Sequence, residues 1–203
     1  MTAHTPASHV KQIGIFGGTF NPPHVAHIAL AQAFYEQAGL DEVWLMVSPL
    51  NPFKVNADLL DDTIRLQMLQ AATADTPWLK ASNYEFALPK PSYTYHTLTH
   101  LSHDYPDVAF SLLIGGDNWA AFDKWFKHEE ILAHYPIYVY PRQDSAIDAS
   151  SLPSSVHILE APQIDVSSTV IRQRVSQGLS IEHLVAPGVA SIIHQYGCYR
   201  EEK

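Results

Sequence analysis

Cysteine occurs once in the 203 residues, at Cys198. A single thiol excludes an intramolecular disulfide framework and a multi-cysteine zinc site. Charge is also scarce, at 16% of residues, against a usual ~25%. Basic residues are the scarcer sign: 12 Lys and Arg stand against 21 Asp and Glu, a net charge of −9. That balance speaks against a nucleic-acid coat or an anionic membrane surface as partner. No apolar run approaches the ~18 residues that span a bilayer. The opening MTAHTPASHV lacks both an apolar stretch and a positive cluster, so no secretory signal is read there. The cytoplasm is the expected compartment. Apolar residues are plentiful, at 46%, enough for an ordinary globular core. Residues 1–11 read as a polar lead-in and 12–203 as one domain.

Short apolar runs alternate with amphipathic stretches. Ile13, Ile15 and Phe16 run into Gly17-Gly18, a buried strand entering a tight turn. Helix is expected from His24 to Gln37, stopped by Gly39. Further strands fit Val43–Val47, Val108–Ile114, Ile137–Tyr140 and Val156–Leu159. Further helices fit Asp62–Ala74, Ser167–Gln177 and Val189–Gln195. The alternation predicts an α/β fold, a Rossmann-like doubly wound parallel sheet with helices on both faces. Ligands of such sheets bind beyond the carboxyl ends of the strands. Gly17-Gly18, Ser48-Pro49, Gly115-Gly116 and Pro141 all fall there.

Two segments carry chemistry. In GGTFNPPHVAH, Gly17 and Gly18 let the backbone approach a ligand, and the following helix start favours an anion. His24 and His27, three apart, share a face and can donate hydrogen bonds to a phosphate chain. No Gly-Lys-Ser/Thr follows, so this is not a P-loop, and the spacing of the dinucleotide fingerprint is absent. In DVSSTVIRQR, Ser167, Ser168 and Thr169 precede an apolar-periodic helix, and Arg172 lies on its next turn. Alone, this reads as a capped helix with an exposed arginine; the same helix end can equally hold a phosphate. His96, His100 and His103 share a helical face, which reads as a solvated surface rather than a zinc site.

The first segment resembles the (H/T)xGH signature of the nucleotidyltransferase superfamily, with Ala26 where glycine is usual. The second resembles its ISSTxIR motif, with Val166 for isoleucine. Between them, SPLNPFK ending at Lys54, PSYTYHTL from Pro91, and IGGD with FDKW through Trp125 resemble bacterial nicotinate-nucleotide adenylyltransferases. The resemblance covers roughly residues 12–200. It implies transfer of AMP from ATP to nicotinate mononucleotide, giving deamido-NAD and pyrophosphate. It implies catalytic roles for His24, His27 and Arg172. ATP would be held by Gly17, Gly18, Thr19, Phe20, Ser167, Ser168, Thr169, Gly115 and Asp117, the last on a ribose hydroxyl. The mononucleotide would meet Lys54, Thr94, Tyr95, Trp125 and Arg142, with Trp125 stacked on the pyridine ring. Magnesium would arrive with ATP, and no protein metal site is expected. Arg65 and Glu85 fall in matching stretches without an assigned role. Partners are therefore small molecules, not nucleic acid or membrane, and a homo-oligomer remains open. Two other readings stand beside this one: an adenylyltransferase for another phosphate monoester, such as the amide mononucleotide, and a nucleotide-binding regulator without turnover.

Overall fold

A computed structural model describes residues 9–49, 59–141 and 147–200. Six parallel strands form one sheet: β1 (Lys11–Gly18), β2 (Glu42–Val47), β3 (Leu79–Ser82), β4 (Val108–Gly115), β5 (Ile137–Tyr140) and β6 (Val156–Ile158). Their spatial order is β3-β2-β1-β4-β5-β6. The chain therefore moves outward from β1 in one direction, then returns to its other side with β4. The seam between β1 and β4, in register from Lys11↔Val108 to Phe16↔Leu113, is the topological switch point of the sheet.

Both faces of the strands are buried, which is why they read as continuous apolar runs. Ile13 and Ile15 of β1, Phe110, Leu112 and Ile114 of β4, and Ile137 and Val139 of β5 share one core. Phe16, Val43, Leu45, Val47 and Leu113 project into the opposite one. Helix α1 (Val25–Gln37) packs on that second face. Gly14 makes the approach possible: a Cβ there would lie 2.4 Å from the Phe34 ring. Helix α3 (Thr94–Asp104) covers the first face through Leu98 and Leu101. Helices α2 (Asp62–Thr73), α6 (Ser168–Ser176) and α7 (Pro187–Gln195) share a third core around Met68, Ile171, Val189 and Ile193, where Cys198 is buried as a packing residue.

The expected strands and helices are present with ends shifted by one or two residues. Two corrections matter for the site. His24 and Ser167 are not helical; each is the extended N-cap residue of the helix that follows. Edge strand β3 and helix α3 are added, as are short helices α4 (Gly116–Trp119) and α5 (His128–His134). Strand β1 begins at Lys11, inside the expected lead-in. No helix among the described residues is long and apolar enough to cross a membrane.

Candidate active site

Strand β1 ends on Gly17-Gly18, and the chain then turns sharply. Phe20 holds the turn in the left-handed region at φ 46° while 2% exposed, a conformation a non-glycine residue keeps only when packing over-determines it. His24, 7% exposed, follows at extended φ and ψ. Its backbone N–H donates to His27 Nδ1 at 3.2 Å. Neutral His27 therefore carries its proton on Nε2. The two imidazoles stack with centroids 3.7 Å apart, and Phe20 meets His27 edge-on at 5.0 Å. Both rings are thus fixed before any ligand binds. The helix start is less open than the sequence suggests, because the Val25 N–H already donates to Leu184 O at 3.0 Å. Ala26 sits in regular helix, where its methyl imposes no backbone strain.

The second segment docks on the first. Ser167 caps α6, its Oγ accepting from Val170 N–H at 3.2 Å. Ser168 Oγ donates to Pro22 O at 2.8 Å, and Arg172 donates to Asn21 O at 3.0 Å. Arg172 also donates to Thr169 Oγ1 at 3.3 Å. Asn21 Oδ1 accepts from the Tyr199 hydroxyl at 2.9 Å and from Leu60 N–H at 3.4 Å. Residues from the two ends of the chain thereby form one corner. It presents imidazoles, hydroxyls, a guanidinium and the start of α6, a donor set suited to phosphate oxygens.

A cavity opens beside this corner, at the carboxyl ends of β1 and β4. Gly17, Gly18, Ser48, Thr94, Gly115 and Trp125 line it. Gly115 keeps the floor open: a Cβ there would stand 2.5 Å from Asp117 Oδ1. Asp117 lies in α4 with its side chain exposed. Trp125 packs on Phe122 at 5.2 Å, and its Nε1 is buried without a partner among the described residues. Tyr95 does not line the cavity. Its ring packs on Phe126 at 5.9 Å under the Lys127 ammonium, 5.1 Å from the ring centre. Only its backbone, in the first turn of α3, remains available for the expected role. Lys54 and Arg142 lie outside the described residues. His96 and His103 are exposed along α3, and no cluster of His, Cys, Asp or Glu that could hold a metal occurs among the described residues.

Two site residues have no role assigned from sequence. Arg65 is fully buried and ties three segments together, donating to Thr19 O at 2.6 Å, Ser48 O at 3.2 Å and Leu60 O at 2.9 Å, and pairing with Asp62. The sequence signal is an arginine on an otherwise apolar face with Met68 and Leu69. Glu85, 6% exposed, lines the cavity and accepts from Thr97 Oγ1 at 2.7 Å. Burial pushes its carboxyl above the ordinary value, opposed by hydrogen bonding from Thr97 and Ser48.

Residues 15–174 match the family model described as cytidylyltransferase-like. A protein named probable nicotinate-nucleotide adenylyltransferase from Bacteroides fragilis is 48% identical over 182 residues, covering 90% of each chain. One of the same name from Cytophaga hutchinsonii is 47% identical, covering 90% of this chain and 95% of its own. A solved structure of Plasmodium falciparum nicotinic acid mononucleotide adenylyltransferase complexed with NaAD covers 93% of this chain and 97% of its own, with TM-score 0.79. At 19% identity that likeness shows the common fold.

Proposed function

The chain belongs to the cytidylyltransferase-like family and, within it, to the nicotinate-nucleotide adenylyltransferases, and from that premise we propose that it transfers AMP from ATP to nicotinate mononucleotide. The products are deamido-NAD and pyrophosphate, a step of NAD biosynthesis. The observation that carries this reading is the corner described above. Hydrogen bonds from Ser168 to Pro22 and from Arg172 to Asn21 set two phosphate-suited segments against each other, next to a cavity with an aromatic wall at Trp125.

The mononucleotide phosphate oxygen attacks the α-phosphorus of ATP. A new P–O bond forms, and the bond to the bridging oxygen breaks, its electron pair leaving with pyrophosphate. The nucleophile is already anionic, so no side chain need remove a proton. The protein's part is positioning and stabilisation of charge on the phosphates. His24 and His27 are assigned to the triphosphate, with His27 donating from Nε2. Gly17, Gly18, Thr19 and Phe20 supply the turn that follows its contour. Ser167, Ser168, Thr169 and Arg172 meet the leaving pyrophosphate, and Gly115 and Asp117 the ribose. Trp125 offers its face to the pyridine ring, while Thr94 and the Tyr95 N–H, at the start of α3, meet the carboxylate. Lys54 and Arg142 are assigned to the mononucleotide phosphate from sequence alone. The donors of this corner suit anions, so magnesium would be held by ATP oxygens and water. Bound there, it would neutralise phosphate charge.

Pyrophosphate release, measured with ATP, magnesium and either the acid or the amide mononucleotide, tests the assignment. A preference for the acid of ~100-fold in kcat/KM, or ~2.7 kcal/mol, is expected. Turnover of the amide alone would move the substrate, and binding of ATP without release would make the chain a regulator.

A further inference from the structure

Glu85 is the one carboxylate-bearing residue lining the cavity among the described residues. Glutamate is seldom this buried without a cation. Here no Lys, Arg or His joins it in the lining. It belongs to the 3-10 turn Tyr84–Ala87, held between the end of β2 and the first turns of α3. One oxygen, Oε1, accepts from Thr97; the other, Oε2, is buried without a well-formed hydrogen bond, and the Ser48 hydroxyl is the other donor near the carboxyl. The hydroxyl of Ser92, 8% exposed in the same wall, also lacks a well-formed hydrogen bond. An ionised carboxylate with two hydroxyl donors and no cation is costly in such a place, whereas a neutral carboxyl is tolerated. The other titratable groups in the lining are the phenols of Tyr93 and Tyr140. Thr97 lies one turn after Thr94 on α3, so Glu85 stands behind the helix start assigned to the pyridine substituent.

We propose that Glu85 selects the pyridine substituent by its own charge. Uncharged, it admits the carboxylate of the acid mononucleotide; ionised, it repels that carboxylate and leaves the amide unaffected. The inference rests on the reading that the pyridine ring enters this cavity with its substituent toward Thr94. Desolvation, which raises the carboxyl's proton affinity, works in the same direction. The shape of the pocket can be held constant while the charge is removed, because the side-chain amide in Glu85→Gln matches the uncharged acid in size.

The test is the ratio of kcat/KM for acid and amide mononucleotides from pH 6 to 9, in wild type and Glu85→Gln. Both substrates carry the same phosphate, so its titration cancels in the ratio. The wild-type ratio is expected to fall about tenfold as pH rises, from the repulsion of two like charges across a pocket. Glu85→Gln should hold the low-pH ratio throughout. Thr97→Val removes a donor that favours the anion and should move the wild-type inflection to higher pH. A wild-type enzyme that prefers the acid, with a ratio that follows the glutamine variant at every pH, overturns the selector and leaves the proposed activity standing. Absence of acid turnover at any pH overturns that activity, and the selector with it.

Discussion

His24 donates its N–H to His27 Nδ1 and stacks its ring on that imidazole, so neither histidine is positioned independently. Replacing His24 removes one donor to the phosphates and the platform of the other. His24→Ala should lower kcat by roughly 100-fold or more, as loss of a preorganised donor to a developing charge does. Steady-state pyrophosphate assays at saturating ATP check this, and an undiminished kcat would remove the role. Trp125 should behave differently, because an aromatic face acts on the ground state as well as on the transition state. Trp125→Ala should raise KM for the mononucleotide and leave KM for ATP nearly unchanged. Equal increases would discard the stacking assignment. Arg65 is fully buried and does not line the cavity, yet it joins the carbonyls of Thr19, Ser48 and Leu60. Arg65→Met would take this donor from all three part-buried carbonyls and the buried partner from Asp62. A loss of about 3 kcal/mol or more in unfolding free energy is expected, read by urea denaturation.

At the scale of elements, the position of α6 decides whether the corner exists. Ser167→Ala deletes its cap and should cost about 1 kcal/mol, together with a higher KM for ATP. Thermal denaturation and ATP titration in parallel check the pair of effects. The strands are legible in the sequence because the sheet is buried on both faces: Val108–Gly115 and Ile137–Tyr140 read directly as apolar runs. Strand β3 is not, since LKAS is a four-residue edge strand bonded only to β2, with Lys80 exposed. Helix α3 is half legible. Its histidines suggest a helical face, but Leu98 and Leu101 alone give little apolar period. The glycine turn, the histidines and the serine cap are legible because their spacing is local. The corner itself is not, since its bonds join residues 146 and 151 positions apart. Arg65 and Glu85 escape because ionisable residues default to the surface in a reading from pattern. Only tertiary packing reveals them as interior groups.

For the whole molecule, stability should depend on pH from both sides. Asp41 is held below its ordinary value of 3.8 by the Gln12 amide and His9, and Asp104 by the Tyr84 hydroxyl and His103. Asp61 is held low by Thr63 and Asp148 by Ser150. Folded-state affinities for protons below the unfolded ones give stability that is present above pH 3.8 and is lost as pH falls through the folded values. Glu85 has the opposite sign. Its contribution is full below 4.5 and is lost as pH rises through the raised folded value. Calorimetry should therefore show the melting temperature falling in acid for wild type and Glu85→Gln alike. As pH rises above 4.5, wild type should lose ground relative to Glu85→Gln, the gap between them widening until Glu85 is fully ionised. A gap that stays constant with pH would mean that Glu85 keeps one charge state throughout.

The seam of the sheet has a consequence for how the protein comes into being. All six strands have been made once Ile158 is synthesised, but the corner needs Ser168, Arg172, Leu184 and Tyr199 to reach back to the turn after β1. A ribosome releasing the chain from its amino end thus produces the sheet first and the nucleotide's partner surface last. A nascent chain halted between Ile158 and Ser167 would hold the turn and its histidines yet lack the surface that closes on ATP. Affinity for the nucleotide should consequently appear as a late, abrupt event in translation, after the scaffold that carries it is already in place.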